Sequence, residues 1–300
     1  MSQVLFPATL AFIMFGLGMT LTVADFTRLV RMPRPVLVGL LGHMFILPLV
    51  ALAMIGLFPM PAAFALGLMV VAASPGGAVS NLWTHQARGD VALAVTLTAL
   101  SAAVAVVWVP VLLNLSAGYL MGERADIRLP LGATMAHIAL LTVIPVALGM
   151  TVRRLATDLA LRMERPVRIL SLLFLVLVVL AVLVRGRDDL PRLMLTAGPP
   201  VLLYNFLVMA VGLLAARLAR LTPQQVITIP IEVGIQNVIM SATLATAPQF
   251  LNRPEAGLVP SLYGFTMTFM AIGWLLVIRH APGVLGRPAL PAVQVQTSPP

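Results

Sequence analysis

Stretches of about twenty predominantly apolar residues, the length that spans a bilayer core of roughly 30 Å as a helix, follow one another along nearly the whole chain. Short breaks rich in arginine, proline or acidic residues separate them. Dividing the sequence at those breaks predicts nine membrane-spanning helices, at about 4–22, 35–56, 61–86, 90–115, 131–152, 166–184, 196–217, 223–248 and 257–279. With 60% hydrophobic and only 10% charged residues, and a mean hydropathy of +1.03, no water-soluble fold has an interior large enough to bury the apolar surface. The fold class expected is therefore an all-α polytopic membrane protein, with residues 1–281 as a single transmembrane domain. The proline-rich 282–300 is expected to be a disordered cytoplasmic tail. Met1 to Phe6 carry no basic leader region, so the first apolar run is expected to stay in the mature protein.

The formal charge of +9 does not point to nucleic acid, because the 19 basic residues, all arginine, lie in small clusters between apolar runs. That distribution is the one set by the positive-inside rule. An outside N-terminus places 13 arginines, among them Arg28, Arg31, Arg34, Arg153 and Arg154, on the cytoplasmic face and six, including Arg124, Arg128 and Arg253, on the other. An N-out, C-in orientation follows. The absence of cysteine removes disulfides and thiolate chemistry. His43, His85, His137 and His280 show no metal-ligand spacing, and no catalytic triad can be assembled, so neither an enzyme nor a structural metal is expected.

Two apolar segments are interrupted. The third contains Ser74-Pro75-Gly76-Gly77-Ala78-Val79-Ser80-Asn81, and the eighth contains Pro230-Ile231-Glu232-Val233-Gly234-Ile235-Gln236-Asn237. Proline deletes an amide donor and clashes with the preceding turn, and glycine weakens the helix, so both segments are expected to unwind there. Unwound backbone at membrane depth persists only where protein buries it or it lines a wet cavity. Paired discontinuous helices with polar neighbours point to the binding site of a secondary transporter. A carboxylate at the middle of a spanning helix costs about 2.5–3.5 kcal/mol on insertion scales and usually marks an ion or substrate path; Glu232 is such a group. The pattern of the third and fourth segments resembles that of the eighth and ninth, as expected of two inverted halves.

At these residues the chain resembles the bile acid:sodium symporter family, in its bacterial branch. The matching stretches are Phe15-Gly-Leu-Gly-Met-Thr-Leu with Asp25-Phe26, Ser74-Pro-Gly-Gly with Ser80-Asn81 and Ala87-Arg-Gly-Asp-Val-Ala-Leu, and Glu232-Val-Gly-Ile-Gln-Asn237. The resemblance implies an inverted-repeat transporter with a core domain (about 35–115 and 196–279) holding two crossing discontinuous helices, and a panel domain (about 4–22 and 131–184). It implies symport of a small organic anion with two sodium ions by alternating access, with no other cofactor and no oligomer required, in a bacterial plasma membrane. Carried over, Ser80, Asn81, Thr98 and Glu232 would hold the first sodium, with Ala94 where relatives often have a further serine and Ser101 as a substitute. The second would use Glu232, the carbonyls of Val233 and Ile235, Gln236, and His43 in the place of a usual glutamine. An imidazole offers sodium only a nitrogen, and a protonated His43 would supply one positive charge in place of the second ion. Gly77, Ala78 and Asn237 would line the substrate site. A carboxylate smaller than a bile acid is expected. Alternatives left open are proton-coupled or sodium-independent transport of an organic anion, and a non-transporting membrane receptor of the same fold.

Overall fold

A computed structural model describes residues 2–121, 129–185 and 187–280. Among them the chain is helical, with one isolated backbone bridge, between Gly76 and Gln236, in place of strands. The helices are α1 (Ser2–Thr20), α2 (Val23–Arg31), α3 (Pro33–Leu41), α4 (Leu47–Leu57), α5 (Ala62–Ala73), α6 (Val79–Gln86), α7 (Val91–Met121), α8 (Leu131–Leu141), α9 (Val143–Leu155) and α10 (Thr157–Arg185). They continue as α11 (Leu190–Thr196), α12 (Gly198–Leu218), α13 (Pro223–Gly234), α14 (Val238–Thr246) and α15 (Leu258–His280). Five stretches are long and apolar enough to cross a membrane: Pro33–Leu57, Val91–Leu120, Leu131–Leu155, Gly198–Leu218 and Glu255–His280. Outward-facing Leu170, Leu173, Leu177 and Leu180 of α10 are all exposed, a surface suited to lipid rather than water. The protein is an all-α polytopic membrane protein.

Each of the nine predicted segments coincides with helix, and the interruptions carry the information. The third segment divides into α5 and α6 at Ser74–Ala78, as its Pro-Gly-Gly predicts. The eighth does not unwind at Pro230, as expected from the sequence; α13 runs through that proline and ends at Gly234, so the break is Ile235–Asn237. α12 packs closely against this part of α13: a Cβ at Gly212 would lie 2.6 Å from Val233 Cγ2 and 3.5 Å from the Pro230 Cα. A capping box of Thr222 and Gln225 fixes the start of α13, with the Thr222 amide donating to Gln225 Oε1 at 3.2 Å.

Three features depart from the predicted pattern, one between segments and two inside them. Val23–Arg31 is a short amphipathic helix, α2, started by Asp25, whose Oδ2 accepts from the amide and hydroxyl of Thr22 at 2.8 and 2.7 Å. The second segment carries a π-helical turn, Gly42–Ile46, between α3 and α4, with His43 in it. The fifth segment is offset at Thr142, whose hydroxyl bonds back to the Ile138 carbonyl at 2.7 Å. The 282–300 tail lies outside the described residues.

Packing falls into two groups. The larger hydrophobic core joins α3, α4, α5, α7, α12, α13 and α15, with Leu68, Leu97, Tyr204, Ile231 and Tyr263 fully or nearly fully buried. The other group centres on α1, which packs chiefly on α9 and then on α10, and places Leu10, Met14 and Leu17 against residues of α7 and α14. The α1–α9 seam is made by glycines: a Cβ at Gly149 would collide with the Phe15 carbonyl, and one at Gly18 with the carbonyl of Val146. Small residues permit such close backbone approach in membrane bundles. Gly149→Leu should therefore force α1 and α9 apart and destabilise the protein by about 1–3 kcal/mol. Thermal unfolding in detergent should show a lower midpoint, and an unchanged midpoint would refute the seam's importance.

Candidate functional site

The two breaks meet. The Gly77 amide donates to the Ile235 carbonyl at 2.9 Å, and the Asn237 amide donates to the Pro75 carbonyl at 2.9 Å, so each unwound stretch satisfies backbone groups of the other. The Gly76 amide is held by Ser101 Oγ at 3.2 Å, and Ser241 Oγ joins Ser74 Oγ at 2.8 Å. No side chain fits between the strands of this crossing. A Cβ on Gly76 would lie 2.6 Å from Glu232 Oε1 and 3.4 Å from His43 Cε1, and one on Gly77 would lie 2.7 Å from the Gln236 carbonyl oxygen.

Glu232 projects from the last turn of α13 into this crossing and is fully buried. Ser80 Oγ, at the start of α6, donates to Glu232 Oε2 at 2.6 Å, and Thr98 Oγ1, on α7, donates to Oε1 at 2.6 Å. Three of the expected cation-site residues are thus in direct contact. A carboxylate that accepts two hydroxyl bonds retains lone pairs for a cation, and an ionised carboxylate in a low-dielectric interior needs a counter-charge. Among the described residues no cationic side chain pairs with it. Asn81 is on the next position of α6; its Oδ1 is buried without a hydrogen-bond partner, an orphan acceptor that fits a cation or a polar ligand. Ala94 is fully buried, and the Ser101 hydroxyl accepts from the Gly76 amide and donates to the Thr98 carbonyl, which leaves it one lone pair.

On the other side of Glu232, Gln236 Nε2 donates to the Val233 carbonyl at 2.6 Å, and Gln236 Oε1 is buried without a partner. The His43 ring lies beside the Gln236 side chain, yet neither ring nitrogen completes a hydrogen bond. Two residues missed by sequence reasoning stabilise the break: Asn205 Nδ2 and Tyr263 Oη both donate to the Gly234 carbonyl, at 3.0 and 2.8 Å. Asn205, a buried amide in the middle of apolar α12, was the signal available for finding them.

A cavity of about 270 Å³ opens beside the crossing. Gly77, Ala78, Asn81 and Asn237 line it from one side, Leu17 of α1 and Val167 of α10 from the other. The expected substrate residues therefore share one space. Asn237 Oδ1 caps α14 by accepting from the Met240 amide at 3.0 Å, which leaves its Nδ2, buried and unpartnered, as a donor. The starts of α6 and α14 also reach the cavity through Val79 and Val238, and helix N-termini favour negative charge. His85 is the one titratable side chain among the described lining residues.

The model of the Sodium Bile acid symporter family matches residues 7–191. YocS of Bacillus subtilis, described as an uncharacterized sodium-dependent transporter, is 32% identical over 238 residues, covering 79% of this chain and 72% of its own. The probable sodium/metabolite cotransporter BASS1, chloroplastic, of Arabidopsis thaliana is 31% identical over 238 residues, 78% of this chain and 57% of its own length. The human P3 protein is 30% identical over 257 residues, 84% of this chain and 52% of its own length; the match spans about half of the P3 proteins. With a family model matching more than half of it and motifs that meet at one buried carboxylate, the chain belongs to the Sodium Bile acid symporter family.

Proposed function

We propose that the protein is a secondary active transporter that carries a small organic anion together with sodium by alternating access. The observation that carries this reading is Glu232, buried where two broken helices cross and held by Ser80 and Thr98, beside a cavity walled by both packing groups. Sodium would be bound by Ser80, Asn81, Thr98 and Glu232, which offer hard oxygen ligands. The anion would lie against Gly77, Ala78 and Asn237, where Asn237 Nδ2 and two helix N-termini present positive dipole ends and no carboxylate is among the described lining residues. The sodium dependence in the descriptions of YocS and BASS1 supports the choice of ion.

The mechanical division we propose takes the α1–α9 seam as its starting point. α1, α8, α9 and α10 would form the panel and the remaining long helices the core, with the crossing as the fixed centre about which access alternates. Nine spans, an outside N-terminus and a plasma-membrane location in a bacterium complete the proposal. Sodium at Glu232 would neutralise the carboxylate and tighten the junction of α6, α7 and α13. That junction ends at the residues facing the anion, so sodium and anion promote one another's binding by the same factor.

Sodium binding is measurable without knowing the anion. A ligand at a hundredfold excess over Kd stabilises the folded state by about 2.7 kcal/mol. NaCl should therefore raise the unfolding temperature of the purified protein over KCl at equal ionic strength, and Glu232→Ala should abolish the difference. A wild-type protein indifferent to the exchange would overturn sodium coupling and favour proton-coupled or ion-independent transport. Gly76→Ala places a methyl against Glu232 Oε1 and should cost about 1–3 kcal/mol together with most of the sodium response; retention of the full response would show that the crossing tolerates a side chain.

A further inference from the structure

We infer that the outward face of α10, where Arg162 and Arg165 meet the bilayer surface, is a binding site for the headgroup of an anionic phospholipid. One stripe of that helix changes character along its length. Ala160 and Val167, seven residues apart, are buried and join Met19 in one small apolar cluster, so they mark the side of α10 that packs on α1. At 3.6 residues per turn, Arg162, Arg165, Ile169 and Leu173 fall on the opposite side, and all four are exposed. From Ile169 onward the stripe is aliphatic and suited to acyl chains. Before it the stripe carries guanidinium groups, so the boundary between hydrocarbon and headgroups falls at Arg165.

The packing on α1 gives the same depth. Ala160 clusters with Met19, and a Cβ at Gly16 would collide with Val167 Cγ1. Arg162 and Arg165 therefore lie at the level of Gly16 to Met19, in the final part of a helix that ends at Thr20. At 1.5 Å per residue, Gly16 is about 6 Å from that end. Each Cα–Cβ bond leans toward the helix N-terminus, which for α10 is the end at this membrane surface. Both long side chains can thus snorkel to phosphate depth while their stems stay against apolar surface.

Among the described residues neither guanidinium makes an ion pair, and Asp158, one turn before Arg162 and itself exposed, makes none either. A cation that faces lipid needs a counter-charge, and at this depth a headgroup phosphate supplies it. The planar guanidinium fork matches phosphate geometry. Charge selects the kind of lipid. Arg153 and Arg154 end α9 beside the start of α10, and from Arg153 to Arg168 the sequence carries five arginines against two acidic residues. A net positive surface of that kind favours a headgroup with net negative charge over a zwitterion. On the inner side of the same helix Val167 lines the cavity, so a bound headgroup fixes the depth of one cavity wall.

The test titrates the purified full-length protein in detergent with phosphatidylglycerol or with phosphatidylcholine of the same acyl chains, following the unfolding midpoint at fixed ionic strength. Phosphatidylglycerol should stabilise at the lower mole fraction. Arg162→Gln combined with Arg165→Gln should weaken its apparent affinity on the order of thirtyfold. Arg217→Gln combined with Arg279→Gln removes the same charge from the last turns of α12 and α15 and should leave the preference in place. Equal stabilisation of the wild type by the two lipids would overturn the inference. An equal loss in both double variants would also overturn it, by showing a diffuse charge effect, and comparable stabilisation by inorganic phosphate would do so by showing a site for soluble anions. If the Arg162 and Arg165 double variant does not fold, the single variants, each expected to lose roughly fivefold, decide the matter. Sodium coupling is untouched by either result.

Discussion

Two helices that stop in the middle of a membrane protein leave amides and carbonyls with no water to meet them, and each unsatisfied group costs several kcal/mol. The crossing of Ser74–Ala78 with Ile235–Asn237 resolves this by pairing the stretches with each other, Gly77 to Ile235 and Asn237 to Pro75. Much of the surrounding structure depends on that exchange. Gly76 and Gly77 are required because the strands approach too closely for a Cβ. Asn205 and Tyr263 are needed because the Gly234 carbonyl has lost its helical partner. Ser101 serves the amide of Gly76. The polar residues of the core form one system whose first task is backbone satisfaction.

That ordering separates structural from functional groups. Glu232, Asn81 Oδ1, Asn237 Nδ2, Gln236 Oε1 and the His43 nitrogens retain capacity after the backbone is satisfied. They fall on two sides of the crossing, with Asn81 and Asn237 toward the cavity and His43 away from it. Glu232 stands between. On the proposed mechanism the carboxylate cannot remain ionised and alone in that interior, so the ion is needed to complete the fold of the crossing as well as to drive transport.

The architecture was legible where the physics is one-dimensional. Segment length and hydropathy place all nine helical stretches, and Pro75-Gly76-Gly77 places the first break. Proline and glycine alone misplace the second: Pro230 stays helical and the break falls at Ile235–Asn237. The π turn at Gly42–Ile46 and α2, too short to span, carry no hydropathy signature. Ser80, Thr98 and Glu232 were legible as a set through the motif resemblance, but which hydroxyls are free was not. Ser101 was a candidate substitute for the hydroxyl missing at Ala94, and only the structure shows that it also holds the Gly76 amide. The uncommitted ring of His43 is likewise a property of three elements packed together.

The seam of α1 with α9 bears on how such a site opens. Gly18 and Gly149 bring two backbones into contact, and contact at that range is lost steeply with displacement, so α1 and α9 are held as a pair. Val167 of α10 packs into the same side, where a Cβ at Gly16 would collide with its Cγ1. The crossing is equally committed, by backbone hydrogen bonds. The cavity lies between these two rigid assemblies, with Leu17 and Val167 on one wall and Ala78 and Asn237 on the other. Its walls are joined by apolar contact rather than by hydrogen bonds across the gap, and apolar contacts are non-directional. On the proposed mechanism the two assemblies would slide over one another at this apolar surface, while the double hydrogen bond of Asn114 on α7 with the backbone of Leu129, ahead of α8, would tie them at one end.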